Sequence, residues 1–538
     1  MSFRRVLPVA ALTATLLSIA GVAADAQPTS APRILVMPFE NVARDGRIFW
    51  LTEAAAVLMT DDLNALGAAA ITRAERHQAF ERLQVPPAAA LTDATVIRIG
   101  QLVGAAQVVV GSLQLDGETI VVRARGIALE SGRIQADVTD RGPLTELLAI
   151  FERISRRIAP PSTKSSAEIE GQHPAVAVFE DYIKGLLADT PATAINYLNS
   201  ALSRQPSFDR ARLALWDVYT EQGDPQRALA AVVPIAADSP AARRAAFLRG
   251  LSQIQLRKYD DAFATFQGLL EARSTATVLN NLGVVQLRRG ANPPGGLPTY
   301  FFTKAMESDQ GDPDYVFNLG YAYWENRDPQ AAIYWLREAV RRNPADGDAH
   351  FVLAAALAAG GNPGEATRER DLARRLSAAY ERTARPGGDA VPRGLERLKN
   401  QFELPHPRIE SRLATSEQRD QEELATFHLD RGRRLFQQEN DRDALVELNH
   451  ALYLSPYRAE AHLLAGRIYL RNGRIADAIG ALKIALWSAE TAETHALLGE
   501  AYRQSKDLAA ARTEAERALA LDPSSTEAKQ LLARLDGR

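Results

Sequence analysis

The sequence of 538 residues contains no cysteine. This absence excludes disulfide bonds, thiol catalysis, thiolate metal ligands and a lipid attached to an N-terminal cysteine. A strong charge of one sign is also missing, because 63 Lys and Arg stand against 66 Asp and Glu, for a formal net charge of −3. Such a chain has no general attraction to nucleic acid or anionic lipid, so we expect neither as a partner.

Long apolar runs are scarce, and the one that is present lies at the N-terminus. Arg4 and Arg5 precede an apolar stretch, which ends at the small-residue cleavage site Ala24-Asp25-Ala26. This layout is typical of a secretory signal peptide, so residues 1–26 are expected to be removed after export. An uncleaved membrane anchor is the alternative. No second run is long enough to span a bilayer, so we expect membrane contact only through a partner.

Patterns of catalytic and metal-binding residues are missing as well. The sequence has no H-E-x-x-H, calcium-loop, Walker or G-x-S-x-G motif, and no Gly-rich loop with lysine follows Gly111-Ser112. We therefore predict a protein that is not an enzyme and has no cofactor. Four of the eight histidines occupy the same position of a repeat described below, and we expect them to pack within their repeats rather than bind metal: His350, His428, His462 and His495.

Residues 27–159 alternate between strand-like and helix-like segments. "RILVMPF" (33–39) is a compact apolar strand, and Asp116-Gly117 separates two further strands, which is a strong hairpin signal. The pattern predicts a small α/β sandwich domain. Pro, Ser and Thr crowd residues 160–174, which indicates a linker.

This domain resembles the TolB amino-terminal-like group and the related CsgG and FlgO-type envelope domains. The resemblance is carried by "ILVMPFEN" (34–41), "FWLTEAAAVLMTDDL" (49–63) and residues 99–134. It implies a non-catalytic module for assembly or recognition in the bacterial cell envelope. The export signal and this resemblance together lead us to expect a periplasmic protein, with any outer-membrane association made through a partner.

Beyond the linker the chain repeats itself. Nine similar segments begin near residues 175, 209, 243, 276, 313, 347, 425, 459 and 492. A period of about 34 residues predicts a solenoid of helix–turn–helix units. The segments resemble tetratricopeptide repeats, most clearly in "LDRGRRLFQQENDRDALVELNHALYLSP" (429–456). The predicted fold is thus mainly α: a superhelical array of about six units (175–380) and about three units (425–538), after the α/β domain and the signal peptide.

Residues 381–424 interrupt the array with a Pro- and Gly-rich insert that carries Leu395, Leu398 and Phe402. It is either a hinge between two blocks of repeats or a plug that folds back onto one of them. Its Pro and Gly content favours the hinge.

The resemblance implies a concave groove lined by the first helix of each unit. In units three to six the matching positions are mostly apolar: Phe247, Leu251, Ile254, Asn280, Val284, Leu287, Phe317, Tyr321, Trp324 and Phe351. In the last three units they carry a basic stripe: Arg433, Arg467, Arg471 and Arg503. The apolar part predicts binding of an extended or helical peptide. Alternatively, the insert, the N-terminal domain or closure of the superhelix covers it. The stripe is expected to be a salt-bridged surface, with an acidic ligand as the alternative.

One stretch, "FNLGYAYW" (317–324), divides between two roles. Phe317, Tyr321 and Trp324 recur at i, i+4 and i+7, so they share the groove face of a helix. Tyr323 falls on another face, where we expect it to fill the space between Gly320 and Ala332 of the paired helix.

These observations predict an exported, non-enzymatic scaffold that mediates protein–protein interactions in the bacterial envelope, with a protein or peptide as its partner. The alternative is an envelope sensor whose N-terminal domain binds a small ligand and whose repeats relay the signal.

Overall fold

The computed structural model describes residues 33–83, 93–159, 173–290, 293–381, 391–402, 411–455 and 457–537. The predicted signal peptide and most of the predicted linker lie outside these residues. Within them, no helix combines the length and the apolar character needed to cross a membrane.

The N-terminal domain is built on a six-stranded sheet with the order β3-β1-β4-β5-β6, and β2 pairs with β4. The strands are β1 (Arg33–Val36), β2 (Glu40–Asn41), β3 (Ala69–Ala70), β4 (Gln107–Asp116), β5 (Thr119–Ala128) and β6 (Ile134–Pro143). β1 runs parallel to β3 and β4, whereas β4, β5 and β6 form an antiparallel meander. The predicted hairpin is confirmed, because Asp116 pairs with Thr119 across Gly117.

Helices cover both faces of this sheet. They are α1 (Leu51–Ala65), α2 (Arg73–Arg82), α3 (Asp93–Leu102) and α4 (Leu147–Ile158). Side chains alternate along β1, so Ile34 and Val36 join the core under α1 and α4, whereas Leu35 and Met37 join the core under α2 and α3. This alternation explains the unbroken apolar run of the strand and confirms the predicted α/β layering.

Most of the described chain after residue 175 is helical, and nine helix pairs follow one another as units. Units one to three are α5 (Val176–Leu187) with α6 (Pro191–Arg204), α7 (Asp209–Glu221) with α8 (Pro225–Val232), and α9 (Ala242–Gln255) with α10 (Tyr259–Ala272). Units four to six are α11 (Ala276–Arg289) with α12 (Pro298–Ser308), α13 (Pro313–Glu325) with α14 (Pro329–Arg342), and α15 (Gly347–Ala359) with α16 (Pro363–Leu376). The short α17 (Ala378–Glu381) follows them.

Three further units complete the array after the insert. They are α18 (Ser411–Gln437) with α19 (Asp441–Leu454), α20 (Ala459–Arg471) with α21 (Ile475–Ser488), and α22 (Ala492–Gln504) with α23 (Leu508–Leu521). A last helix, α24 (Thr526–Leu535), packs on unit nine. The predicted helical solenoid is confirmed.

The turn inside a unit has a repeated local cause. The second residue after the first helix adopts a left-handed conformation in most units, which reverses the chain in a few residues. Glycine supplies it at Gly223 and Gly361, but Arg257 and Arg327 adopt it with φ of 59°. The next helix then begins at an Asp N-cap in several units, as at Asp328, whose side chain accepts from the backbone N–H of Ala331.

Close helix contact in unit five differs in detail from the prediction. A Cβ at Gly320 would lie 2.8 Å from Cγ of Leu336, so the missing side chain makes room for Leu336. Leu336 is fully buried, whereas Tyr323 is only half-buried. The expectation that Tyr323 fills this space is therefore wrong, because the atoms that pack against Gly320 belong to Leu336 of the paired helix.

The array returns to the N-terminal domain. The ring of Phe49 lies edge-on to Tyr457 at 5.9 Å and to His462 at 6.2 Å, so unit eight packs on this domain. Unit eight also meets the loop after α5, where the backbone N–H of Asp189 donates to the carbonyl of Ser488. Just before unit one, Nε2 of His173 lies 2.6 Å from Oδ1 of the buried Asp62 in α1. The N-terminal domain thus contacts both the segment just before unit one and unit eight.

Candidate functional site

The first helices of units three to six (α9, α11, α13 and α15) form a concave face, here called the groove. Residues 391–402 of the insert, here called the strap, run through it without forming a helix or a strand. These residues therefore behave as the folded-back plug. The expectation of a hinge is wrong for these residues. Their Pro and Gly content disfavours a helix, but it is equally compatible with a non-helical segment that groove side chains hold in place.

Three buried asparagines hold the backbone of the strap. Nδ2 of Asn318 donates to the carbonyl of Arg397 at 2.9 Å, and the N–H of Arg397 donates back to Oδ1 of Asn318 at 2.7 Å. Asn281 forms the same pair of hydrogen bonds with Lys399: Nδ2 donates to the carbonyl, and the backbone N–H donates to Oδ1, both at 2.9 Å. Asn280 adds a second donor to the Arg397 carbonyl at 2.9 Å. An amide carries a donor and an acceptor, so each pairing satisfies both backbone groups of one strap residue.

Two basic side chains of the strap enter an acidic cradle. Arg397 contacts Asp314 at 2.7 Å and Asp346 at 2.6 Å, and Nζ of Lys399 contacts Asp312 at 2.6 Å and Asp314 at 2.7 Å. Asp312 and Asp346 are the N-caps of α13 and α15, so the helix starts bring these carboxylates to the rim of the groove. Asp312 and Asp346 therefore have two roles, because each caps a helix and also pairs with a basic side chain of the strap.

Aromatic rings form the floor beneath these charges. The Arg397 guanidinium lies 3.9 Å from the ring centroid of Phe317, and Nζ of Lys399 lies 5.2 Å from that of Tyr315. Cations favour such positions over aromatic faces. Tyr321 contributes its hydroxyl, which donates to the carbonyl of Pro392 at 3.1 Å.

Apolar side chains of the strap fill the remaining space. The rings of Phe402 and Phe247 lie 5.0 Å apart. Leu398 packs between the clusters that contain Phe247 and Val284, and Leu395 packs on the cluster of unit five. The strap is therefore anchored by apolar contacts at several points along its length.

The electrostatic environment supports the ion pairs. Burial favours the neutral form of Asp314, but Lys399 and Arg397 outweigh it and lower the pKa of this carboxyl to about 2. For Arg397, burial alone would lower the pKa, whereas the bonds to Asp346 and Asp314 raise it. Both groups are thus charged at neutral pH, and Arg288 adds a further pair with Glu396 at 2.6 Å.

The structure brings the ten predicted apolar-groove residues together along one face. Phe247, Leu251, Ile254, Asn280, Val284, Phe317, Tyr321 and Phe351 are buried, whereas Leu287 and Trp324 are half-buried at its edge. Phe351 stacks on Tyr380 of α17 at 4.1 Å, and Val391 of the strap packs beside them. The chain itself therefore covers most of this face.

Other groove residues did not emerge as predicted binding residues. They are Asn281, Asp312, Asp314, Tyr315, Asn318 and Asp346. The buried asparagines had a signal in the sequence, since amides recur where a solenoid helix is otherwise apolar. The aspartates look like ordinary N-caps, so their second role depends on the distant strap.

The family profile described as tetratricopeptide repeat matches residues 213–277, 302–346, 317–381, 429–494 and 463–526. These segments are tetratricopeptide repeats. A search of curated proteins gives no match.

Parts of this chain are similar to solved structures at low identity. YrrB, titled a TPR protein with an unusual peptide-binding site, is 18% identical with a TM-score of 0.28, covering 34% of this chain and 92% of that one. The Pseudomonas aeruginosa pilF protein is 18% identical with a TM-score of 0.30, covering 36% and 88%. A tetratricopeptide repeat protein from Parabacteroides merdae is 12% identical with a TM-score of 0.26, covering 61% and 99%.

The basic stripe of the last three tetratricopeptide units is paired within the array. Arg433 binds Glu460, and Arg467 binds Glu493, so each arginine reaches the start of the first helix in the next unit. Arg471 binds Asp441, and Arg503 binds Glu500 at 2.6 Å. The four arginines thus have intramolecular partners and form a ladder of ion pairs.

Three of the repeat histidines bridge the two helices of their own unit. Nδ1 of His350 lies 2.5 Å from Glu369, that of His428 lies 2.7 Å from Glu447, and that of His495 lies 2.6 Å from Glu514. Each glutamate follows its histidine by the same number of residues, so the contact repeats with the units. His462 instead packs on Phe49 of the N-terminal domain.

One side-chain group has the composition of a metal site. His428, Glu447 and His450 place one ligand atom each within 4.8 Å of one another. His450 is exposed, and His428 with Glu447 already forms the pair that two other units repeat without a third ligand. The repeated contact explains this group as an element of repeat packing.

Proposed function

We propose that this protein is an exported, non-enzymatic scaffold of the bacterial cell envelope that holds a partner protein by an extended peptide segment in the groove. The supporting observation is that the groove already holds an extended segment, the strap, through its backbone. Asn280, Asn281 and Asn318 contact main-chain groups. Contacts of this kind fix an extended chain, while side-chain pockets select its sequence.

The envelope part of the proposal has its own support. The N-terminal layout is that of a signal peptide, and the α/β domain resembles envelope modules. The matched repeat segments begin at residue 213, after this domain. In the proposed arrangement the α/β domain docks to one envelope component and the repeats hold another.

A peptide-binding measurement tests the groove. The strap is replaced by a glycine–serine linker of equal length, and a fluorescent peptide with the sequence of residues 391–402 is titrated into the variant. We expect saturable binding that weakens about tenfold or more when Asn280→Ala and Asn318→Ala are added, because each removes a hydrogen bond to the peptide backbone. A folded variant, checked by circular dichroism, that shows no binding would contradict the proposal.

Export is tested separately. Cell fractionation and N-terminal sequencing of the native protein should place it in the periplasm with Gln27 as its first residue. A cytoplasmic protein that begins at Met1 would refute the envelope role and leave the peptide-binding role intact.

A second candidate, the ligand-binding sensor, is favoured by a cleft between the N-terminal domain and units seven and eight. It has a volume of about 1650 Å³, and its lining carries seven Arg or Lys against four Asp or Glu. Arg125 and Lys483 face it from the two sides. An anionic small molecule in this cleft would contact both regions, so a thermal-shift screen of anionic metabolites on the full chain tests this function.

A further inference from the structure

The groove without its strap is an acidic surface on an aromatic floor. Asp312, Asp314 and Asp346 line one stretch of it, and in the folded chain Arg397 and Lys399 neutralise them. Desolvated carboxylates close together repel one another, so this stretch favours a ligand with positive charge. The hydrogen bonds that the neighbouring asparagines make to the strap all go to its backbone, so they add affinity without restricting the sequence.

The geometry also fixes the spacing of the charges that fit. Arg397 and Lys399 are two residues apart, and an extended chain directs such side chains to the same side. Both therefore reach the cradle at once, while Leu398 enters the apolar clusters. Phe402, three residues after Lys399, meets Phe247. A ligand thus needs two basic residues around a leucine, followed by an aromatic residue.

The strap is a tethered segment that is exposed in part. It forms no helix or strand, and Arg393, Gly394, Asn400 and Gln401 are exposed. Its hydrogen bonds to the groove come from side chains, so it can leave while the helices remain paired. Because it is tethered, its effective concentration is of the order of mM, and a free segment must bind more tightly or find the strap weakened.

Building on the proposed function, we propose that the strap is a resident mimic of the partner and that the groove selects an extended partner segment of the form basic–leucine–basic–x–x–aromatic. Binding of the partner expels the strap, so the scaffold is closed until such a segment is present. The selecting residues are Asp312, Asp314 and Asp346, with Phe247 for the aromatic residue.

Site-directed labelling tests this exchange in the full chain. Asn400→Cys introduces one label site at an exposed strap position, because the chain has no other cysteine. A nitroxide there reports strap mobility, and the probe is a free peptide with the sequence of residues 391–402. We expect the peptide to increase label mobility, and a control peptide with glutamate in place of both basic residues to have no effect.

Affinity measurements use a weakened strap. In the double variant Arg397→Ala/Lys399→Ala the groove is intact and the competitor is weaker, so the peptide should bind about tenfold or more tightly than to the wild type. Arg393→Ala is the matched control, because this exposed strap arginine should leave the affinity at the wild-type value. Added salt should weaken the peptide complex.

The outcomes separate this inference from the proposed function. If the strap-replaced protein binds the peptide but the glutamate peptide binds equally well, or if wild type and double variant bind alike, this inference fails and peptide binding stands. If the strap-replaced protein binds nothing, both fail. A dimer that forms with rising protein concentration and releases the label would assign the groove to the strap of a second copy and overturn the partner proposal.

Discussion

The two blocks of the repeat array satisfy their polar groove residues in different ways. In units three to six, Asn281 and Asn318 find their partners in the strap, 118 and 79 residues further along the chain. In units seven to nine, Arg433 and Arg467 find theirs in the neighbouring unit. The same repeat architecture thus gives two kinds of surface. In one block the polar groove residues pair with a segment that lies in the groove, and in the other block they pair with neighbouring units. The difference lies in the partners of these side chains, which are distant in the sequence in one block and in the adjacent unit in the other.

The largest expected contrast lies between two phenylalanines under arginines. Phe317 is fully buried under Arg397, whereas Phe436 is half-buried under Arg471 at 4.7 Å. We expect Phe317→Ala to reduce the free energy of unfolding by about 3–5 kcal/mol, because it leaves a cavity under the strap. Phe436→Ala should lose less, as its ring already faces solvent.

Urea unfolding followed by circular dichroism measures both variants. Equal losses would show that the two blocks are packed alike at this position, and the contrast between a covered and an open groove would then be wrong.

The next contrast concerns the backbone contacts. Asn318→Ala removes a fully buried amide and leaves the Arg397 backbone N–H without this acceptor, so we expect a loss of about 1–3 kcal/mol in urea unfolding. Asn400→Ala is the control, since Asn400 is an exposed residue of the strap and its loss should change little. A near-neutral Asn318→Ala would mean that side-chain anchors alone hold the strap.

The sequence predicted the array well and the strap poorly, for a physical reason. Helix starts follow from local signals, and Pro313 and Gly347 begin helices where the repeat register expects them. The apolar groove positions were also readable, because Phe317 and Tyr321 follow helical spacing. The strap depends on contacts between residues far apart in the sequence, and its backbone contacts leave no pattern in its own sequence.

The contacts between the strap and the groove should depend on pH through Asp314. Its pKa in the folded chain, about 2, lies below the ordinary 3.8, so its ion pairs with Arg397 and Lys399 are fully formed above about pH 4 and are lost as the pH falls through about 2. A nitroxide at Asn400→Cys should therefore stay immobile down to about pH 4 and gain mobility as the pH falls from there through about 2. In Asp314→Asn the label should already be more mobile at neutral pH. If the label instead gained mobility near pH 6, groups other than Asp314 would hold the strap in the groove.

The smallest effects are expected in the ladder of the last three units. Glu460→Ala and Glu493→Ala each remove a partner of a stripe arginine whose side chain is about a third exposed, at 38% for Arg433 and 36% for Arg467. Water screens such pairs, so each substitution should reduce the free energy of unfolding by only about 0.2–1 kcal/mol, and added salt should remove the difference. If Glu460→Ala reduced it as much as Asn318→Ala does, the stripe would be as dependent on its partners as the strap groove is. The contrast between the strap-filled groove of units three to six and the ion-paired surface of units seven to nine would then no longer hold, because both blocks would depend equally on polar contacts.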